Sequence, residues 1–195
     1  MCKLYSCLYM IITGGVIEAD SIDDCIDANG ILEISGGIVK AAKSKGTVVG
    51  FNAALSGDEV RICPGASMLV ALGNPGEVSV DCDQNAVLVY FETAHDAGET
   101  VILSDSEGTE QIRYTLPMSC SAVYASSPVL SDGGIYSVEA GDECVSVVID
   151  GSFTTVGEPA ADTVGNGYSW SSDTDGESSE GNGGFQWQSH WNGGN

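Results

Sequence analysis

The densest group of potential metal ligands in this sequence lies between residues 20 and 30. Four aspartates and one asparagine fall within ten residues there, in Asp20-Ser21-Ile22-Asp23-Asp24-Cys25-Ile26-Asp27-Ala28-Asn29. Ile22 and Ile26 are its only large apolar residues, so we expect them to point inward and to leave several carboxylates at an exposed turn. Crowded carboxylates are either solvated or neutralised by a cation. Ca²⁺, which accepts about six to eight oxygen ligands in irregular geometry, fits such a turn; the alternative is a polar turn without a metal.

A second polar segment follows one unit later in the chain. When Leu55 is aligned on Ile26, the next residues come side by side, Ser56 beside Asp27 and Asp58 beside Asn29. Neighbouring strands are about 4.8 Å apart. Two carboxylates at that distance repel each other by roughly 3 to 4 kcal/mol at an effective dielectric constant of about 20, so stacking of such turns also favours a bound cation.

Four basic residues could meet an anionic ligand. Lys40, Lys43 and Lys45 precede an insertion in the third unit of the repeat described below and could contact an acidic sugar, although plain solubility is the alternative. A polysaccharide lyase would need a base close to an acidified C–H group, and the available bases are the same lysines and Arg61.

A repeated cassette predicts the elements that position these residues. Residues 11–19, Ile-Ile-Thr-Gly-Gly-Val-Ile-Glu-Ala, return as residues 32–41, Leu-Glu-Ile-Ser-Gly-Gly-Ile-Val-Lys-Ala, so that Ile12 and Ile34 are 22 positions apart. A looser third copy covers residues 61–70. Each unit is too short and too rich in glycine to bury a face alone, so the units must stack. We therefore predict that residues 9–80 form coils of a parallel β-helix.

The composition divides the chain into three segments. Residues 1–80 carry the repeat. Residues 81–150 contain short β runs, with hairpin signals at Ser106-Glu107-Gly108 and Asp132-Gly133-Gly134, and are predicted to form an antiparallel cap. Residues 151–195 are acidic and rich in glycine and serine, which predicts a disordered tail.

Charge and cysteine content exclude several classes of protein. The formal net charge is −22, and residues 81–195 hold nineteen acids but only one base, Arg113. Such a surface repels phosphate, so we expect neither nucleic acid nor anionic membranes as partners, and no apolar run is long enough to insert into a membrane. The seven cysteines show no Cys-x-x-Cys spacing, which predicts neither a zinc site nor a disulfide framework.

The acidic turn and the flanking glycine pairs resemble a known repeat. Residues 23–30, Asp-Asp-Cys-Ile-Asp-Ala-Asn-Gly, are similar to the Asp-Asp-Gly-Ile-Asp-Ala-Asn-Gly turns of the secreted carbohydrate-binding β-helix family of clostridia and their relatives, with Cys25 in place of a glycine. The resemblance covers about residues 10–140. It implies a right-handed parallel β-helix that binds Ca²⁺ and an acidic polysaccharide such as polygalacturonate, without catalysis.

Carried over position by position, the resemblance implies the Ca²⁺ ligands Asp23, Asp24, Asp27 and Asn29. We add Asp20 because it is near them in sequence, and Asp58 because of the stacking. It also implies an extracellular or cell-surface location, and because Met1 lies close to a cassette we expect further coils and an export signal upstream.

The sequence thus predicts a non-catalytic, calcium-dependent module for acidic polysaccharide. The alternatives are a β-helix polysaccharide lyase and a structural surface or adhesion protein. A nucleophile elbow, a phosphate loop and a histidine-based metal motif are all missing from the sequence, and His95 and His190 stand alone in it.

Overall fold

The structure of the chain is a computed structural model that describes residues 8–22, 24–43, 54–73 and 81–159. These residues form twelve strands and no helix. The strands are β1 (Tyr9–Ser21), β2 (Ile26–Lys43), β3 (Leu55–Ile62), β4 (Ala66–Leu72), β5 (Asp81–Cys82), β6 (Ala86–His95), β7 (Thr100–Asp105), β8 (Glu110–Thr115), β9 (Cys120–Ser126), β10 (Ile135–Ala140), β11 (Glu143–Val148) and β12 (Phe153–Val156).

Eight strands form one mixed sheet around the long strand β2. Seven of them follow the order β12-β6-β9-β4-β2-β3-β5, and β1 pairs with β2 in addition. One edge of β2 pairs in parallel with β1, and the other pairs in parallel with β3 and then with β4. Beyond β4 the direction changes, because β9 is antiparallel to both β4 and β6. The other four strands form an antiparallel sheet in the order β11-β10-β7-β8.

The cassettes of the repeat lie side by side in the mixed sheet. Ile12 of β1 stands opposite Ile34 of β2, which in turn stands opposite Ile62 of β3. Ile34 and Ile62 are almost completely buried. Apolar side chains at equivalent positions therefore stack on one face, and a one-residue slip would expose all of them.

The predicted parallel β-helix is wrong. Its coils would require parallel strands to continue past β4, but β9 enters there antiparallel, with Leu69 opposite Ala125. The predicted cap is also divided, because β6 and β9 extend the first sheet while β7, β8, β10 and β11 form the second. In addition β12, from the segment predicted to be disordered, pairs with β6. The chain is all-β, and the described residues form two sheets rather than a solenoid. The repeat suggested a β-helix because parallel pairing of similar units looks the same in a mixed sheet and in a β-helix.

Two hydrophobic cores bury both faces of the central strands. One core joins the two sheets and contains Val123 of β9 together with Leu103 and Val138 of the second sheet. The other is built almost entirely from the mixed sheet and contains Tyr124 and Ile34. Because successive side chains of a strand point to opposite faces, β9 contributes alternate residues to both cores. The two sheets therefore pack against each other through the first core, and β9 links that core to the second.

The two hairpin signals have different outcomes. Ser106-Glu107-Gly108 connects β7 and β8, which pair antiparallel, and Gly108 has a φ of 79°, so this prediction is confirmed. Asp132-Gly133-Gly134 instead connects β9 to β10, which lie in different sheets. Turn residues predict where the chain reverses, but not which strands then pair.

Acid is expected to weaken the β7–β8 turn through Asp105. Its carboxylate accepts hydrogen bonds from the backbone N–H of Thr109 at 2.8 Å and of Glu107 at 2.9 Å. The hydrogen bond from Thr109 is the main cause that lowers the pKa of Asp105 below its usual 3.8. Ionised Asp105 therefore stabilises the folded state fully above that usual value, and the contribution is lost as the pH falls through the lower folded-state pKa.

Urea unfolding followed by circular dichroism at several acidic pH values tests this expectation. The stability of the parent chain should fall more steeply below about pH 4 than that of Asp105→Asn, whose amide oxygen keeps an acceptor but does not titrate. Asp150→Asn, which makes the same charge change elsewhere, should follow the parent. Parallel curves for the parent and Asp105→Asn would refute the assignment.

Candidate functional site

The described acids of the predicted calcium turn are all exposed. Asp20 lies near the end of β1, Asp24 precedes β2, and Asp27 and Asn29 are outward positions at the start of β2, alternating with buried Ile26 and Ala28. No ion pair to these carboxylates occurs in the described part of the chain. Asp23 lies outside the described residues.

Strand β3 lies beside this turn and pairs in parallel with the start of β2. Ile26 lies opposite Leu55 and Asp27 opposite Ser56, as the alignment of the two units predicts. The register then shifts between Ala28 and Ile31, so that Asn29 and Gly30 together face Asp58. This irregularity is a β-bulge, which bends the strand locally. The side chain of Asp58 is not among those described.

Two titratable groups, Tyr114 of the second sheet and Cys25, lie near the acids of this turn. Burial, and after it the carboxylates of Asp20 and Glu18, raise the pKa of the Tyr114 hydroxyl. Burial also raises the pKa of the Cys25 thiol, whose Sγ donates a hydrogen bond to the carbonyl oxygen of Ala42 at 3.2 Å. Both groups are therefore held in their neutral form beside the acids. A reactive thiolate at Cys25 is disfavoured for the same reason.

The calcium ligands remain a prediction. Among the residues described, no group of three or more His, Cys, Asp or Glu side chains is placed to hold a metal ion. The exposed turn supplies Asp20, Asp24, Asp27 and the amide of Asn29, but the arrangement with Asp23 and Asp58 lies outside the description.

The two described lysines of the predicted sugar-binding set, Lys40 and Lys43, do not form an exposed basic surface. Nζ of Lys40 lies 2.7 Å from Oε1 of Glu18, its partner across the β1–β2 ladder. Lys43 is 3% exposed, and Lys45 is outside the described residues. The alternative base Arg61 makes two hydrogen bonds to Glu59, at 2.6 and 2.9 Å.

A second acidic feature, an open groove, was not expected from the sequence. It has a volume of about 460 Å³. It lies where β6 ends and β11 begins, and its lining residues are Glu92, Thr93, Ala94, His95, Glu99, Asp142 and Glu143. Four carboxylates and one imidazole thus converge on one open depression.

His95 is the organising residue of this groove. Its ring is 4.5 Å from that of Phe91 in an edge-on contact, and its Nδ1 lies 2.9 Å from Oε2 of Glu99. Its Nε2 lies 3.3 Å from Oε2 of Glu143. The sequence offered one signal, the spacing of four between His95 and Glu99, whereas Glu143 is 48 positions away and comes close only through the fold.

Gly141 allows the groove to close around Glu99. Its φ of 53° lies in the left-handed region, and a β-carbon at this position would collide with Oε2 of Glu99. The left-handed backbone conformation therefore favours glycine at this position, and the absence of a β-carbon lets the Glu99 carboxylate approach the backbone closely.

A scan against models of protein families, a search of curated proteins and a search of solved structures each find no match to this chain. Over the described ranges, no helix is long and apolar enough to cross a membrane.

Proposed function

We propose that this chain is a non-catalytic module that binds an acidic polysaccharide of the polygalacturonate type through Ca²⁺. The observation that carries the proposal is the contrast between the exposed acids Asp20, Asp24 and Asp27, which have no basic partner in the described residues, and the described bases nearby, which are buried or held in ion pairs. This contrast supports binding of a cation rather than of an anion at this turn.

The overall charge makes a cation necessary for such a ligand. A protein of net charge −22 repels a polyuronate, and this repulsion acts over a Debye length of about 8 Å at physiological salt. Lys40 is neutralised by Glu18. A Ca²⁺ ion shared between protein and sugar carboxylates is then the interaction that offsets the repulsion.

The positions of the bases also favour binding over catalysis. A lyase needs an unengaged base directed at the substrate C–H bond. The guanidinium of Arg61 makes two hydrogen bonds to Glu59, and Lys40 pairs with Glu18. The acidic turn resembles that of a secreted family, so we propose that the activity lies at the cell exterior.

Affinity electrophoresis through a gel that contains polygalacturonate tests the proposal. We expect the chain to be retarded in millimolar Ca²⁺ and to migrate freely in EDTA, with neutral glucan gels giving no retardation. The double variant Asp24→Asn with Asp27→Asn should weaken the retention at least about tenfold, because each bound carboxylate contributes directly to Ca²⁺ affinity.

The matched control is Glu139→Gln with Asp150→Asn, which removes the same charge from other exposed positions and should bind like the parent chain. Equal retention in Ca²⁺ and in EDTA would overturn the role of the cation. Release of unsaturated uronate from the polymer would instead establish a lyase.

A further inference from the structure

The groove around His95 contains a buried nitrogen without a hydrogen-bond partner. The side chain of His95 is 7% exposed, and its Nε2 makes no hydrogen bond with any other described group. Oε2 of Glu143 is 3.3 Å away, but it is not aligned to accept a hydrogen bond from the ring. Buried polar atoms in folded proteins nearly always have a partner, so this nitrogen requires an explanation.

The proton of the neutral imidazole lies on the other nitrogen. Oε1 of Glu99 accepts a hydrogen bond from the backbone N–H of Asp96 at 2.9 Å, and its Oε2 lies 2.9 Å from Nδ1 of His95. A carboxylate only accepts hydrogen bonds, so Nδ1 of His95 donates to Glu99. The lone pair of Nε2 then faces the groove and Glu143.

Glu143 is fixed in this orientation by the backbone. Its Oε1 accepts a hydrogen bond from the N–H of Glu92 at 3.0 Å, which leaves Oε2 directed towards His95. Two acceptor atoms therefore face each other at 3.3 Å. That arrangement is unfavourable unless a positive charge lies between them.

We propose that Nε2 of His95 and Oε2 of Glu143 bind a divalent transition-metal ion of the Zn²⁺ type. With metal–ligand bonds of about 2.0 to 2.2 Å, two ligand atoms separated by 3.3 Å subtend an angle of about 105° at the metal, close to tetrahedral. The remaining positions are taken by water, because no third His, Cys, Asp or Glu side chain among the described residues is placed to hold the same ion.

Glu99 completes the arrangement as an outer carboxylate. A metal-bound histidine commonly donates its second N–H to a carboxylate, which sets the tautomer and raises the basicity of the ligating nitrogen. The contact of 2.9 Å between Nδ1 and Glu99 has this form. With two protein ligands and open positions, the site would bind metal more weakly than a closed structural zinc site.

Isothermal titration calorimetry of the metal-free full chain with Zn²⁺ tests the proposal. The experiment contains no polysaccharide, so its outcome is independent of the proposed calcium-binding function. We expect one Zn²⁺ site whose dissociation constant rises at least about tenfold in Glu143→Gln, which keeps the oxygen that accepts from Glu92. Loss of the outer carboxylate in Glu99→Gln should weaken binding by about 10- to 100-fold.

Two controls separate this site from other ligands. Glu139→Gln makes the same charge change at an exposed position of β10, and Cys144→Ser removes the exposed thiol next to Glu143; both should bind Zn²⁺ like the parent chain. Unchanged affinity in Glu143→Gln would overturn the site.

Nitrogen NMR of the imidazole ring gives a readout on the unmodified chain. Zn²⁺ should shift the Nε2 resonance of His95 while Nδ1 keeps its proton. If instead both ring nitrogens carry protons near pH 7 and Zn²⁺ causes no shift, a proton occupies the gap and the metal site is refuted.

Discussion

Replacement of Gly36 by alanine is expected to destabilise this protein by about 2 to 3 kcal/mol, whereas the same replacement at Gly14 should change the stability little. The two glycines occupy the same position in consecutive copies of the cassette, and neither has a positive φ. Any difference between them must therefore come from what surrounds them rather than from their backbone conformation.

The surroundings of the two glycines differ sharply. A β-carbon on Gly36 would collide with the carbonyl oxygen of Thr13 on β1, whereas nothing lies within 4 Å of the corresponding position on Gly14. Backbone atoms of a paired strand cannot move aside without loss of the β1–β2 ladder. Alanine at Gly14 has no such neighbour, and the loss of chain freedom in the unfolded state makes it neutral or stabilising by up to about 1 kcal/mol.

Urea unfolding of the two single variants measures this contrast, with the change in midpoint compared at constant slope. Equally small effects at Gly14 and Gly36 would show that β1 does not pack on β2 as described. A loss at Gly14 that matches the one predicted for Gly36 would show that another strand covers the outer edge of β1.

Truncation of Tyr124 to alanine is expected to lower the free energy of unfolding by about 3 to 5 kcal/mol. Tyr124 is fully buried in β9, and its ring stacks on that of Phe153 at 6.2 Å. Its neighbours in sequence, Val123 and Ala125, are buried in the other core. A cavity at this position therefore affects the strand on which both cores depend.

Thermal and urea unfolding followed by circular dichroism test this prediction. The transition should stay single in Tyr124→Ala, because β9 couples the two cores. Tyr9→Ala is the control, since Tyr9 is 57% exposed and surface truncations usually change stability by less than about 0.5 kcal/mol. A loss below about 1 kcal/mol at Tyr124 would contradict the burial described for β9.

Both metal proposals depend on the fold to different degrees. The acids of the calcium turn are close in sequence, so Asp20, Asp24 and Asp27 could be found without a structure. The groove site needs His95 at the end of β6 and Glu143 at the start of β11, which become neighbours only after both sheets have formed. Sequence inspection therefore missed the second site.

The sequence by itself determined the local features of this protein. The spacing of Ile12, Ile34 and Ile62 predicts the parallel register that these strands adopt, because equivalent apolar residues must reach the same buried face. Ser106-Glu107-Gly108 likewise predicts the β7–β8 hairpin, since a glycine with positive φ suits a tight reversal.

Only the tertiary structure decided which strand edges meet. The antiparallel entry of β9 between β4 and β6, which opposes Leu69 and Ala125, replaces the expected β-helix with a mixed sheet. The same packing brings Glu143 to His95. Backbone donors and acceptors are alike in every strand, so local sequence specifies that a segment is extended and which face is apolar, while the choice of partner depends on the packing of residues that are distant in the chain.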